Sequence, residues 1–235
     1  RLLFMQTWPE LVLGISLNTG RSLAEILKTG IFRAKTAYSV HFSGPMTVYE
    51  QMCPFFEVPT FSRAEMVLEA LSRVRAMFGM QFAYVTRRDV GRQCGPMLRQ
   101  VAYEYFGDLI PIRQGEDLSK ALCRGVYCRL CCYYYCPAEV DELLYMATVK
   151  DYRRILEAES EEERLTFAVA GSFLDYVIVD GNGTWNKSLG LRLGEPEVEL
   201  LEVFGKQRAE SDAQEDHPEG REIAQELPTK GGDVV

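Results

Sequence analysis

The residues best suited to chemistry are five cysteines crowded between positions 123 and 136. Zinc takes four nitrogen or sulfur ligands in a tetrahedron, and Cys128 and Cys131 have the spacing of half such a site. The weak candidates for a metal site are Cys128, Cys131, Cys132 and Cys136. On a strand, Cys128, Cys132 and Cys136 would lie roughly 13 Å from one to the next, too far for one ion. The favoured interpretation is therefore buried thiols that pack as small apolar side chains, with a redox or nucleophilic thiol as the alternative.

Four arginines form the best nucleic-acid candidate. They surround a polar, glycine-bounded loop predicted over 87–95, with tyrosines nearby, and cations beside aromatic rings suit nucleic acid. The candidates are Arg87, Arg88, Arg92 and Arg99. The alternative is a loop that carries charge only to stay solvated.

Tyrosines 133 to 135 form an unusual aromatic run. On a strand, Tyr133 and Tyr135 would point the same way, which makes them candidate residues of an interaction surface. Burial of the run on both sides is the alternative.

No catalytic constellation is visible. His41 alternates with Val40 and Phe42 on a predicted strand and is interpreted as a structural histidine. Neither a phosphate-cradling glycine loop nor a nucleophile–histidine pair occurs. The sequence thus predicts a non-enzymatic protein without a cofactor.

The cysteine run ends a longer predicted unit. Alternating residues over 101–105, a turn at Gly107 and a return segment to Arg113 predict a hairpin. Asp117 is predicted to cap a short helix and Gly125 to end it in a left-handed conformation, ahead of a strand over 126–136.

Residues 22–32 align without a gap with residues 117–127. Ser22 and Glu25 have capping-box spacing, and Gly30 matches Gly125 as a helix stop. Chance or a duplicated module explains the match.

Other segments predict both helices and strands. The clearest helix follows a capping box of Ser62 with Glu65 and ends at Gly79. Strands are predicted within 2–15, 31–42, 81–86 and 173–179, and a hairpin turn at 180–183. The mixture predicts an α+β fold with antiparallel sheets and short capped helices.

The composition suits one large or two small globular domains: 235 residues, 47% hydrophobic, with a net charge of −8. An odd count of seven cysteines favours reduced thiols in cytosol or nucleus. No apolar run approaches a membrane span and no signal peptide is visible. Because the chain starts on arginine, we expect an upstream part. The charged tail over 207–235 is predicted to be disordered.

The segments VAYEYFGDLIPI, DLSKALCRGVYC and SLAEILKTGIF resemble the repeated unit of the US-twenty-two family of beta-herpesvirus proteins, a branch of the SUKH superfamily. The resemblance covers roughly residues 11–33 and 98–136. It implies SUKH-like modules: the end of one unit over 1–40, a second unit over 41–136, an α+β extension over 137–206 and the acidic tail.

The resemblance also implies a function. Such a protein would be a viral regulatory or tegument protein that binds host proteins and antagonises antiviral defence or cell death, in the host cytoplasm, nucleus or virion tegument. The alternative is a module that binds double-stranded RNA and blocks the RNA-activated antiviral kinase. No membrane partner is expected, and oligomerisation is left open.

Overall fold

A computed structural model describes residues 1–44, 54–150 and 175–205. Contacts group the chain into residues 1–201 and residues 202–235, and only 202–205 of the second group, which are helical, are described. The first group combines helices with one antiparallel sheet, which confirms the α+β class. The domain boundaries at 40, 136 and 206 stay a prediction, and the predicted tail lies outside the described residues.

The helices and strands follow one another along the first group. The helices are α1 (Trp8–Thr19), α2 (Ala64–Phe78), α3 (Arg87–Phe106), α4 (Leu118–Ala121), α5 (Tyr127–Tyr135) and α6 (Glu142–Val149). The strands are β1 (Ile31–Thr36), β2 (Ser39–Ser43) and β3 (Phe56–Pro59). Leu2–Phe4 form a 3-10 turn, and two π-helical turns cover Glu25–Thr29 and Leu122–Val126.

The apolar segment over 2–15 is not a strand, because most of it forms the central helix α1. Pro9 stands in the first turn, where its missing N–H breaks no helical hydrogen bond. Gly20 ends the helix in the left-handed region with φ 65°. The fully buried residues of the helix include Leu11, Val12, Leu13 and Ile15. A helix buried all round lacks the one-sided pattern that would have identified it.

The strand predicted over 31–42 is confirmed as two antiparallel strands joined by a tight turn. The strand β2 is central, with β1 on one side and β3 on the other. His41 lies on β2 as predicted, opposite Arg33 on β1 and Glu57 on β3. The next residue, Phe42, is buried and faces Phe32 and Phe56, which gives the sheet an aromatic inner face.

The helix predicted before Gly79 is confirmed as α2, but its predicted capping box is wrong. Its N-cap residue is Arg63, which makes no side-chain capping bond. The backbone N–H of Ser62 instead donates to the Asn18 side chain at 2.8 Å. The N-terminal end of α2 is thus fixed by a contact with α1.

The predicted loop over 87–95 and the first half of the predicted hairpin are wrong, because both belong to α3. Thr86 and Asp89 form a reciprocal capping box at the start of this helix. The buried residues recur every four positions: Val90, Cys94, Leu98 and Ala102. Alternation over 101–105 concealed this helical period. Residues 81–86, predicted as a strand, form turns instead.

The two aligned segments diverge at their glycines. Asp117 caps α4 as predicted and accepts from Ser119 N at 2.9 Å. Gly30 is extended and leads into β1, so it stops its helix without a left-handed conformation. Gly125 lies inside the second π-helical turn, and the chain continues as α5. Both the predicted stop at Gly125 and the strand over 126–136 are therefore wrong.

The tertiary contact of Tyr127 explains why the second segment stays helical. Its ring lies against Gly20, where an added Cβ would come within 2.2 Å of Cδ1. Its hydroxyl donates to Pro59 O at 2.7 Å. Burial of this aromatic side chain outweighs the strand preference of the sequence around it.

The turn predicted at 180–183 is confirmed. Asp180 accepts from the backbone of Asn182 and Thr184, Gly183 has φ 78°, and Val179 pairs with Trp185. The first residues of the strand predicted over 173–179 lie outside the described ranges. Over those ranges, no helix combines the length and apolar composition needed to cross a bilayer.

Candidate functional site

A buried charge cluster lies where the end of α1, the first π-helical turn and the end of α6 meet. We define the buried charge cluster as Arg21, which is buried, together with Glu25 and Lys150, which are half-buried. Arg21 is only 4% exposed. Its Nε donates to Thr19 O at 3.0 Å and its Nη2 to Val149 O at 3.1 Å. These bonds fix the plane of the guanidinium.

The sheet covers the Arg21 guanidinium with two aromatic rings. Its central carbon lies 4.8 Å from the ring centre of Phe42 and 5.3 Å from that of Phe56. Stacking of this kind suits arginine, whose delocalised charge is weakly hydrated. The inner face of the sheet therefore positions this cation.

Lys150 approaches the same place from the C-terminal end of α6. Its Nζ donates to Gly20 O at 2.6 Å and to Cys123 O at 3.1 Å. Burial, together with the charge of Arg21, lowers the pKa of Lys150 to about 8. Such a group is cationic at neutral pH yet can release a proton at moderate cost.

Glu25 supplies the negative charge of the cluster. Burial by itself would raise the pKa of Glu25, but Arg21, hydrogen bonds from Ser22 and Lys150 hold it below its ordinary value. Ser22 donates to Glu25 from both its backbone N and its Oγ at 2.6 Å. The predicted pairing of Ser22 with Glu25 is therefore present, and it orients a carboxylate beside two cations.

Cys123 lies on the second π-helical turn, where Lys150 donates to its carbonyl oxygen and Arg124 is the next residue in the chain. Burial raises the pKa of Cys123, whereas Lys150, Arg124 and Arg21 oppose that rise. Arg124 is exposed, unlike Arg21. With one carboxylate against three cations, the neighbourhood is positive and suits an anion such as a phosphate.

The four cysteines named as weak metal candidates lie on α5 and its C-cap, and all are 0% exposed. We call Cys128, Cys131, Cys132 and Cys136 the cysteine face. Burial raises the pKa of Cys128 to about 11 and that of Cys131 well above its ordinary value. Protonated thiols are poor ligands and poor nucleophiles. Within the described residues, no group of three or more acidic, histidine or cysteine side chains could hold a metal ion.

The four arginines named as nucleic-acid candidates all lie on α3. Arg88, Arg92 and Arg99 are exposed, and Arg87 is half-buried. Arg92 pairs with Asp89 at 2.7 Å, and Arg99 pairs with Asp117 at 3.0 Å. They line a helix rather than a loop, and the helix begins with its positive dipole end among them. Nucleic-acid binding by these residues stays a prediction.

The two tyrosines named as interaction candidates do not share a face. Tyr133 is half-buried and accepts from Asn186 Nδ2 at 3.0 Å. Tyr135 is buried and donates to Thr60 O at 2.7 Å. Two residues apart on a helix, they point to different sides. Their role in an interaction surface stays a prediction.

The sequence interpretation missed the buried charge cluster. Lys150 lies 130 residues from its partner Gly20, so no local spacing connects them. One local signal was present: Arg21 stands between a helix-ending glycine and a capping box, a place where a guanidinium is held close to a helix end. Lys150 is the residue that follows the last turn of α6.

Residues 1–150 match the model of the telomere resolvase ResT/TelK catalytic domain, which covers the cluster from Arg21 to Lys150. The chain belongs to this family. The match replaces the US-twenty-two resemblance, which was wrong because it rested on hydrophobic patterns without any catalytic or binding motif. The SUKH-like modules inferred from it have no support. A search of curated proteins finds no match.

Solved protelomerases have a similar fold. A TelA structure covalently complexed with substrate DNA matches with a TM-score of 0.56 and 19% identity, over 72% of this chain and 54% of that one. TelA with a DNA hairpin product matches with a TM-score of 0.55 and 17% identity, over 91% and 58%. TelK with substrate DNA matches with a TM-score of 0.52 and 14% identity, over 92% of this chain and 43% of that one. The chain thus spans about half the length of these proteins.

These findings correct the functional predictions as well. Membership of a catalytic-domain family contradicts a non-enzymatic protein. The similar structures contain DNA, so host proteins and double-stranded RNA were the wrong partners. The herpesvirus, tegument and immune-evasion assignments rested on the US-twenty-two resemblance and are wrong for the same reason. Localisation stays a prediction.

Proposed function

We propose that this chain is part of a DNA cleaving and joining enzyme that forms hairpin ends through a covalent protein–DNA intermediate. The observation that carries the proposal is the match of residues 1–150 with the catalytic-domain family, and contacts inside that range bring Arg21 and Lys150 together. The TelA and TelK structures supply the class of substrate.

The charge cluster suits the chemistry of phosphoryl transfer. As a nucleophile attacks a phosphodiester, negative charge is spread over the equatorial oxygens of the phosphorus. Arg21 would donate to these oxygens with the N–H groups that its bonds to Thr19 and Val149 leave over, once the DNA opens a path to the buried guanidinium. Arg124, which is exposed, would approach the same phosphate from the solvent side.

Lys150 is suited to neutralise charge beside the phosphate or to pass a proton to the leaving oxygen. Its pKa of about 8 lies near neutral pH, where both proton loss and proton return are accessible. Breaking one phosphodiester as a protein–phosphate bond forms conserves the bond energy, so rejoining requires no nucleotide cofactor.

The exposed side of α3 would hold the DNA away from the reacting phosphate. Arg88, Arg92 and Arg99 fall on one side of this helix, and cations in such a row contact phosphates without reading sequence. This extends the nucleic-acid prediction for these residues to DNA.

The direct test is covalent capture. The full-length protein is incubated with a random library of linear duplexes, and detergent-resistant adducts and DNA ends that snap back after denaturation are sequenced. We expect both products, with Arg21→Ala and Arg21→Lys abolishing them. Arg63→Ala is the matched control, because Arg63 is exposed and pairs with Glu197 at the surface. Absence of both adducts and DNA binding across the library would overturn the proposal.

A further inference from the structure

A cleft beside α5 has the features of a second binding site. Its volume is about 130 Å³. The lining residues that matter here are Arg129, Tyr133, Glu142, Trp185, Asn186 and Lys187. Whole-ligand pockets measure roughly 300–1,000 Å³, so this cleft suits a single ring system.

Trp185 supplies an aromatic surface at the cleft. It is 53% exposed, and it is held in place by its pairing with Val179 after the tight turn. The ammonium of Lys187 lies 4.6 Å from the centre of its ring. A single exposed apolar residue is ordinary. Lys187 lies over the Trp185 ring, so a base could stack only on the opposite face. Aromatic rings close to cations are the surfaces on which bases of unpaired nucleic acid stack.

The polar groups of the cleft are also set in place. Asn186 donates to the Tyr133 hydroxyl, and Arg129 pairs with Glu142. The Nε–H of Arg129 is buried and meets no acceptor among the described residues. A buried donor left without a partner costs stability.

We propose that this cleft binds one unpaired nucleobase, stacked on Trp185, with Lys187 and Arg129 close to its phosphate or carbonyl groups. The inference rests on the proposed DNA function and adds a position for a base that has left the duplex. A base pair inside a duplex has both faces covered and cannot stack on a side chain, whereas a hairpin end contains unpaired bases at its turn.

The test compares affinities for three DNA probes that share one stem. One ends bluntly, one ends in a short unpaired loop, and one has an abasic loop of the same length. Anisotropy titrations use the full-length protein with Trp185 intact, Trp185→Ala and Trp185→Phe. Because Trp185 is exposed, both variants are expected to fold, and melting curves check this.

We expect Trp185→Ala to weaken binding of the unpaired loop about tenfold and Trp185→Phe to retain most of it. Binding of the blunt and abasic probes should change less than twofold. If Trp185→Ala binds the unpaired loop like the unmodified protein, or weakens all probes equally, the cleft is not a base site, although the DNA function would stand. If the unmodified protein binds none of the probes, both proposals fail.

Discussion

The buried charge cluster and the cysteine face adjoin each other at the start of α5, yet burial affects them in opposite ways. Burial favours the neutral form of Lys150 and lowers its pKa to about 8. Burial also favours the neutral form of Cys128, but for a thiol this raises the pKa to about 11. At neutral pH, therefore, the cluster carries charge at a cost in stability, and the cysteine face does not.

This difference separates function from packing. Buried cations are expensive unless something requires them, so a cluster of them indicates a site. Buried thiols behave as small apolar side chains and need no further reason. The sequence favoured cysteines that pack as small apolar side chains, and all four members of the cysteine face are buried.

The largest effect expected is on catalysis. Arg21→Ala should lower the rate of covalent adduct formation on DNA by about 10²–10³-fold, because it removes a fixed donor to the phosphate. Cys131→Ala, in the adjoining site, should leave the rate within a few-fold. Single-turnover adduct formation measures both. Equal losses of adduct-formation rate in the two variants would mean that the charge cluster and the cysteine face do not differ in their role in catalysis.

The contact between Gly20 and Tyr127 joins the two sites, and substitution of Gly20 should have a large effect on stability. Gly20→Ala should lower the free energy of unfolding by about 3 kcal/mol, since a Cβ would collide with the Tyr127 ring and φ is 65°. Gly91→Ala is the control: nothing lies within 4 Å of its Cβ position inside α3. There we expect a gain of up to about 1 kcal/mol. Chemical denaturation measures both, and a tolerated Gly20→Ala would contradict the close packing.

The pKa values of Lys150 and Cys128 shift in opposite directions, so the two groups should change the free energy of unfolding with pH in opposite ways. Between pH 8 and 10.5 the unfolded chain holds a proton on lysine that folded Lys150 releases, so this group makes stability rise with pH. Folded Cys128 keeps its proton up to about pH 11, past the value of 9.0 for a free thiol, so it makes stability fall with pH.

Lys150→Met isolates the first contribution. Relative to this variant, the unmodified protein should gain about 2 kcal/mol from pH 8 to pH 10.5, after allowance for partial exposure. Denaturant titrations at several pH values give this difference, in which the thiol contributions largely cancel. A flat difference would mean that Lys150 is solvated.

The cysteine face should respond weakly. Cys131→Ala should cost about 1 kcal/mol of unfolding free energy, the effect of a small cavity in the core. A strong chelator should leave the melting temperature of the unmodified protein unchanged. A fall in melting temperature with chelator would indicate that these cysteines bind a metal ion.

The smallest effect should lie at the surface, outside both buried sites. Arg92→Ala should weaken DNA binding a few-fold for all sequences and reduce the salt slope of binding by about one. The Arg92 side chain is 77% exposed, so the stability of the fold should hardly change. A salt titration of affinity decides whether α3 contacts the DNA backbone.

The outcome for the fold shows which signals are local. The helix α2, the Asp117 cap, the strands over 31–42 and the turn at 180–183 depend on short-range patterns, and these were predicted. The helices α1, α3 and α5 were missed. Helices α1 and α5 are rich in residues that favour strands, and tertiary burial overrides that preference.

The outcome for the site follows the same logic. Ser22 with Glu25 was visible from spacing. The partners of Arg21 and Lys150 lie across the fold, on Val149 and Gly20, and two aromatic strands complete the surroundings of the arginine. Such a site forms only when the ends of several helices and the face of the sheet come together in the folded protein. Composition and spacing along the sequence therefore cannot reveal it.

The second π-helical turn, Leu122–Val126, runs into α5 without a break. A π-turn holds one more residue than an α-helical turn, which makes it equivalent to a single-residue insertion. Deleting one residue there would restore an unbroken α-helix and rotate everything downstream by about 100°. Tyr127 would then turn away from Gly20, and the cysteines would lose their present contacts. Which side chains of α5 face the core therefore depends on this one extra residue. Relatives without the extra residue would have to bury a different set of side chains.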